Sequence, residues 1–313
     1  MSPVTPADCV LPTPVRELSI CSADGSRLHA AEYGVEGAPL VVLVHGWTCS
    51  VAFWAPVLHQ LADSFRVVAY DQRGHGRSDS PATKRGYSTT ALADDLEAVV
   101  RAVVPAGERA VLVGHSMGGM TIMAAGDRPA VAERTAAALL VSTGPSELVE
   151  ELLVLPAVRP SALRRVLHRH LLRSRLPLGP VTALSRALLK YGTMGPATPV
   201  DRADASARIV QACPTMVRAR WADVLGELDV TAGLAKLAAP TAIVVGTADR
   251  LTPPVHARRM RAALSASEGL LELPGVGHMS PIERPAEVAA EIRRLVGAHL
   301  TPAAVVTPER TVS

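Results

Sequence analysis

Five short runs in this chain are almost wholly apolar: Leu40–His45 (LVVLVH), Arg66–Tyr70 (RVVAY), Ala110–Val113 (AVLV), Ala137–Val141 (AALLV) and Thr241–Val245 (TAIVV). A strand with one wet face alternates apolar and polar residues. Runs with no alternation belong to strands buried on both faces, which is the situation of a parallel sheet covered by helices. Residues 15–22 and 27–33 read as two more strands around the turn Ala23-Asp24-Gly25-Ser26, and Leu270–Leu273 (LLEL) reads as a last one. Between the runs lie segments with helical spacing. Thr89–Val104 carries Leu92, Leu96, Val99, Val100 and Val103, and Glu287–Leu300 carries Val288, Ile292, Leu295 and Val296. The alternation predicts an α/β fold: a mostly parallel eight-stranded sheet with helices on both faces. The apolar fraction is 48% with only 3% aromatic, so the core is expected to be built from Val, Leu, Ala and Ile.

One interval breaks the rhythm. From about residue 146 to residue 236 there is no buried-strand signal, and prolines recur at 156, 160, 177, 180, 196, 199 and 214. This predicts a helical cap, 146–236, inserted after the sixth strand into a core made of 1–145 and 237–313. Residues 151–220 hold 12 Arg/Lys against 3 Asp/Glu, whereas the rest of the chain has 20 against 26. Within it, Ala162–Leu172 places Leu163, Val166, Leu167 and Leu171 on one helix face and Arg164, Arg165, His168 and Arg169 on the others. Two readings follow. The apolar stripe packs on the core with the arginines in water, or the helix is a basic amphipathic one that meets a lipid surface or an anionic substrate.

The segment Val111-Leu112-Val113-Gly114-His115-Ser116-Met117-Gly118-Gly119 runs from a buried strand into G-x-S-x-G, and a helix-compatible stretch follows. That context is required of a nucleophile elbow, where glycines let a sharp turn present a serine beside a helix N-terminus. A serine hydroxyl needs a base to attack at neutral pH. Two later segments supply partners in the order Ser, Asp, His. Asp249 follows the Thr241–Val245 strand, in GTADRLTPP. His278 lies in the Gly-rich loop after the last strand, in LPGVGHM. Both sit at strand C-terminal ends, where open α/β sheets place their sites. Acyl transfer also needs donors for the oxyanion. The backbone N–H groups of Met117, after the nucleophile, and of Trp47, in the His45-Gly46-Trp47 loop, are the candidates.

The segments HGW, DQRGHGRSD (Asp71–Asp79), GHSMGG, GTADRLTPP and GVGH resemble the α/β-hydrolase superfamily in order and spacing, most of all its actinobacterial esterase, lipase and haloperoxidase-like branch. The resemblance covers roughly residues 15–145 and 237–300. The insertion matches the family's cap only in position and helical character. It implies a triad of Ser116, Asp249 and His278 with the oxyanion donors Trp47 and Met117. Epoxide hydrolases and haloalkane dehalogenases of this fold carry an aspartate where Ser116 stands, which argues against both activities. Hydrolysis of a carboxylic ester with an apolar acyl group, through an acyl-enzyme, is the reading that follows. Acyltransferase, thioesterase, C–C hydrolase and cofactor-free perhydrolase chemistry use the same triad, and a non-catalytic ligand-binding protein is the alternative of a different class.

The remaining polar residues read as structural. Asp71, Arg73, Arg77 and Asp79 are expected to brace the loop after Arg66–Tyr70, His45 and His75 to fix their loops, and His115 to point away from the nucleophile. His168 and His170 make no metal pair, and no cofactor or metal is expected. Cys9, Cys21, Cys49 and Cys213 form no CxxC and read as free thiols of a cytoplasmic protein. The net charge of +3 points to no nucleic-acid partner. The N-terminal MSPVTPADCVLPTPV has neither the charged start nor the apolar run of a leader.

Overall fold

A computed structural model describes residues 5–154, 163, 166–168, 170 and 182–300. Eight strands form one sheet: β1 (Arg16–Cys21), β2 (Arg27–Gly34), β3 (Leu40–Val44), β4 (Arg66–Tyr70), β5 (Ala110–His115), β6 (Thr135–Val141), β7 (Thr241–Gly246) and β8 (Ser267–Leu273). Their order is β1-β2-β4-β3-β5-β6-β7-β8. Pairings β1–β2 and β2–β4 are antiparallel, and all the others are parallel. The sheet is therefore an antiparallel hairpin joined to a parallel array, as the strand signals predict.

The uninterrupted apolar runs are explained by two cores, one on each face. Val42, Val44, Leu112, Leu140 and Ile243 enter one, with helices α2 (Thr89–Val103) and α3 (Met117–Ala124). Val41, Leu43, Val111, Leu139 and Val244 enter the other, with α1 (Ala55–Leu61) and the C-terminal helix (Pro285–His299). Successive side chains point to opposite faces, and here both faces are covered, so neither set can be polar. On α2 the five apolar positions expected from spacing are all buried, and the Ser88 hydroxyl caps the helix by accepting the Ala91 N–H at 3.1 Å.

The same face of α2 buries one acid that its spacing does not explain. Asp95 pairs with Arg73 at 2.5 and 2.6 Å, both side chains are excluded from solvent, and Arg73 also reaches Asp24 at 2.9 Å. Arg73 thus ties the loop after β4 to α2 and to the β1–β2 turn. Burial pushes the Asp95 carboxyl upward against the opposing pull of the guanidinium.

Helix α4 (Pro129–Arg134) precedes β6, and among the described residues between β6 and β7 the regular elements are all helices: α5 (Leu148–Glu151), α6 (Ala183–Thr193), α7 (Val200–Ala212), α8 (Thr215–Leu225) and α9 (Thr231–Lys236). Pro199 and Pro214, two of the expected breaks, stand immediately before α7 and α8. Pro156, Pro160, Pro177 and Pro180 lie outside the described residues. The interval contributes to both cores. Met194, Ala203 and Val210 join one core, and Cys213, Val217 and Trp221 join the other. The Trp221 indole donates to the Arg73 carbonyl at 3.1 Å.

The stripe at Leu163, Val166 and Leu167 does not pack on the core. These side chains are 48%, 51% and 39% exposed, while His168 is buried. Amphipathic spacing defines an apolar face but not what lies opposite it, so the packing reading fails here. Leu171, Arg164, Arg165 and Arg169 lie outside the described residues. No helix among the described residues is long and apolar enough to cross a membrane. All four cysteines are free.

Replacing Arg73 with methionine leaves Asp95 buried without its partner. Breaking a buried pair in this way costs about 3–5 kcal/mol, so urea denaturation is expected to show a loss of that size. A loss under about 1 kcal/mol, the range of exposed pairs, contradicts this role for Arg73.

Candidate active site

Strand β5 ends at His115, and α3 begins at Met117, so the whole reversal from strand to helix falls on Ser116. Its backbone adopts φ +51° and ψ −119°, a region costly for any residue with a side chain. The turn persists because the surroundings leave no alternative. A Cβ on Gly114 would lie 2.5 Å from the Gly118 carbonyl, and one on Gly118 would lie 2.1 Å from the Val44 oxygen. The helix start is thus pressed directly onto the ends of β5 and β3. The Ser116 N–H donates to the Val141 carbonyl at 2.9 Å, and the Thr143 hydroxyl donates to the Ser116 carbonyl at 2.7 Å.

Asp249 and His278 meet beside this turn. Asp249 follows β7, His278 follows β8, and the Ala248 N–H joins the two loops by donating to the Val276 carbonyl at 2.8 Å. Asp249 Oδ2 lies 2.9 Å from His278 Nδ1, and both groups are buried. The carboxylate is further held by the N–H groups of Leu251 and Thr252 on Oδ1, at 2.8 and 2.9 Å, and by the Thr252 hydroxyl on Oδ2, at 2.9 Å. Thr252 Oγ1 also lies 3.2 Å from His278 Nδ1, so it can accept from the ring N–H while donating to the carboxylate. Pro253 and Pro254, next in sequence, start the helix Pro254–Ala263. The ring of His278 lies 4.9 Å from that of His115, whose Nε2 is 2.9 Å from the His278 carbonyl. His115 therefore supports the His278 loop from the position before Ser116.

The loop after β3 closes the other side. A Cβ on Gly46 would meet Ser116 Cβ at 3.0 Å, so Gly46-Trp47 passes directly against the serine. Met117 is the first residue of α3, and its N–H is one of the donors that a helix start leaves without an internal acceptor. The Trp47 indole donates to the Arg218 carbonyl of α8 at 3.1 Å, linking this loop to the helical interval. Asp71 secures the loop floor by accepting the N–H groups of Val51 and Arg77 at 2.8 and 3.0 Å. Asp79 pairs with Arg27.

The histidines expected to fix loops do so in neutral form. His45 Nε2 accepts the Gln72 N–H at 3.0 Å, and His75 Nε2 accepts the Thr48 N–H at 3.2 Å. Burial holds the rings of His45, His75 and His115 down. It takes His75 to about 3, with His45 adding to the effect, and His115 well below the usual range, with His278 adding. Thr252 and Glu283 went unseen in sequence. Glu283 accepts the N–H groups of Gly277 and Gly195 at 3.0 and 2.8 Å and the Thr198 hydroxyl at 2.6 Å, fastening the His278 loop to the helical interval. Only the short T-P-P turn after Asp249 hinted at Thr252. Among the described residues no group of His, Cys, Asp and Glu is arranged to hold a metal ion.

A family model described as the alpha/beta hydrolase family matches residues 41–291, and the chain belongs to that family. Two relatives and one solved structure are informative. The "Bifunctional esterase/perhydrolase DCH" of Acinetobacter calcoaceticus is 29% identical over 284 residues, covering 84% of this chain and 93% of that protein. The "Probable oxidoreductase EphD" of Mycobacterium tuberculosis is 38% identical over 126 residues, 40% of this chain, and the match spans only 21% of that longer protein. The structure of a thermophilic esterase from Thermogutta terrifontis superposes with a TM-score of 0.72 over 91% of this chain and 99% of its own at 23% identity, which shows the common fold.

Rings buried neutral make folding sensitive to acid. Unfolded histidines protonate below about 6.5, while the folded ones resist. Their contribution is complete above pH 6.5 and is lost as pH falls below it, down to about 3 for His75. Asp71, shifted downward by the His29 hydrogen bond and other donors despite burial, acts only below its ordinary 3.8. Between pH 6 and 5 the unfolding free energy is expected to drop by more than the ~1.4 kcal/mol per unit of one histidine. Urea denaturation across that range checks this, and a flat profile contradicts it.

Proposed function

We propose that the chain is a serine hydrolase that cleaves carboxylic esters through an acyl-enzyme. The single observation that carries the reading is the buried Asp249–His278 pair set beside the strained turn at Ser116. Ser116 attacks the ester carbonyl, and His278 takes the hydroxyl proton through Nε2. Asp249 holds the imidazole in the tautomer with Nδ1 protonated and stabilises the imidazolium that forms. The backbone N–H groups of Trp47 and Met117 receive the oxyanion, and His278 returns the proton to the leaving alcohol. Water then attacks the acyl-Ser116 ester with His278 as base, releasing the acid. No cofactor takes part. Residues 146–236 act as the cap that shapes the acyl site, and the apolar Trp47 and Met117 side chains favour an apolar acyl group.

Perhydrolysis is the second reading that a specific observation favours. The Acinetobacter relative, matched over most of its length, is named a bifunctional esterase/perhydrolase. Hydrogen peroxide in place of water on the same acyl-enzyme releases a peracid.

Ser116→Ala is expected to abolish both ester turnover and labelling by a fluorophosphonate probe while the melting curve is kept, with a loss of roughly 10⁴–10⁶ in rate. Retention of a tenth of the activity or of the label removes Ser116 from the role. Asp249→Asn is expected to lose about 10⁴, as loss of the orienting acid does elsewhere. A panel of p-nitrophenyl esters of increasing chain length, with a thioester and an amide alongside, identifies the substrate class, and a peracid assay with added hydrogen peroxide tests the second reading.

Thr252 is a positioning residue in this scheme. Thr252→Val is expected to lower kcat by about tenfold, the scale of one hydrogen bond to a charged group, with KM little changed. Thr252→Ser is expected to restore most of it. Equal activity of the valine and serine variants contradicts the role.

A further inference from the structure

Gln72 follows Asp71 in the loop after β4, and no motif or spacing in the sequence marks it. Its side chain is buried. A buried amide is costly unless both its N–H and its oxygen find partners, and here both do. The side-chain N–H donates to the His45 carbonyl, and the side-chain oxygen accepts the Thr121 hydroxyl at 2.7 Å. His45 and Thr121 are themselves excluded from solvent. Both partners lie outside the loop that carries Gln72, so one amide spans from the loop after β3 to helix α3.

At the loop end, Gln72 holds His45 twice. Its backbone N–H donates to His45 Nε2 at 3.0 Å, which leaves the ring proton on Nδ1, and Nδ1 donates to the Gly46 carbonyl at 2.7 Å. The Cys49 N–H donates to the same carbonyl at 3.2 Å. That oxygen belongs to the peptide between Gly46 and Trp47. In a planar trans peptide the N–H points opposite to the carbonyl, so the hold on the Gly46 oxygen sets the direction of the Trp47 N–H. At the helix end, Thr121 Oγ1 also lies 2.9 Å from the Met117 carbonyl, in the first turn of α3.

Trp47 and Met117 carry the two N–H groups assigned above to the oxyanion. They belong to separate elements, yet both must reach one oxygen at the same moment. A misplacement of about 1 Å in such a constellation is costly in rate. We infer that Gln72 is a positioning residue for the oxyanion site, fixing the loop that carries the Trp47 N–H against the helix start that carries the Met117 N–H. This rests on the serine-hydrolase reading and deepens it. Gln72 acts through His45 and Thr121 and touches no reacting atom.

Loss of a whole oxyanion donor costs roughly 10²–10³ in kcat, and a displaced donor costs less, so Gln72→Met is expected to lower kcat by about tenfold or more. KM is expected to stay within about twofold, because the interaction belongs to the transition state. A trifluoromethyl ketone, whose adduct with a serine carries a charged oxygen where the oxyanion forms, is expected to bind more weakly by about the factor lost in kcat. A purely structural role lowers the melting temperature without weakening the ketone. Thr121→Val breaks the same link at its other end and is expected to act alike, while Thr121→Ser keeps the hydroxyl and most of the rate. The two bonds lie in series, so the double variant Gln72→Met with Thr121→Val is expected to fall no further than the worse single variant. Each variant is assayed below its own melting transition, and Thr121→Val decides if Gln72→Met does not fold. Wild-type kcat in the folded variant, a loss confined to KM, unchanged ketone affinity, or losses that multiply in the double variant overturn the proposal and leave the hydrolase reading standing. Ester turnover that survives Ser116→Ala removes that reading, and this proposal with it.

Discussion

The carbonyl end of β3 is in contact with the first turn of α3, with no room for a side chain between Gly118 and the Val44 oxygen. Much else in the molecule depends on that contact. It fixes where the helix starts, which forces the reversal onto a single residue, and that residue is Ser116 in a left-handed conformation. The strain is contained because β5 lies between β3 and β6 and the Thr143 hydroxyl holds the serine's own carbonyl. A close-packed backbone thus does what a side chain alone cannot, holding one hydroxyl at the sheet edge in a fixed direction.

Around that point the loops are secured chiefly by polar groups excluded from water. Arg73 with Asp95, Asp71 with two backbone N–H groups, and the neutral His45 and His75 each close a loop at the same end of the sheet. Such arrangements are costly when incomplete and rigid when complete. Rigidity here coincides with the place where Asp249, His278, Trp47 and Ser116 converge, so the loops behave as extensions of the sheet.

Much of this was legible in the sequence. Runs such as LVVLVH and TAIVV exposed the doubly covered strands because a two-sided core leaves no polar positions, and α2 and the C-terminal helix were read from spacing alone. The proposed triad was found because each member sits just past a strand and beside glycines. What could not be read were contacts made by residues far apart in the chain. Asp95 looks like any helix acid until Arg73 is seen beneath it. Thr252 looks like a turn residue until His278 is found 3.2 Å away. The side chains of Leu163, Val166 and Leu167, expected from spacing to share an apolar face, are exposed, because periodicity carries no information about what stands opposite.

The ties between the helical interval and the candidate site run largely through main-chain oxygens. Thr193 holds the His278 loop, Tyr191 holds Arg250, and Arg218 holds the Trp47 indole, each by its backbone carbonyl. A peptide oxygen is present whatever side chain is attached to it. The side chains of this interval can therefore change over generations while the loops beneath keep their positions, and specificity can drift in a scaffold whose chemistry stays in register.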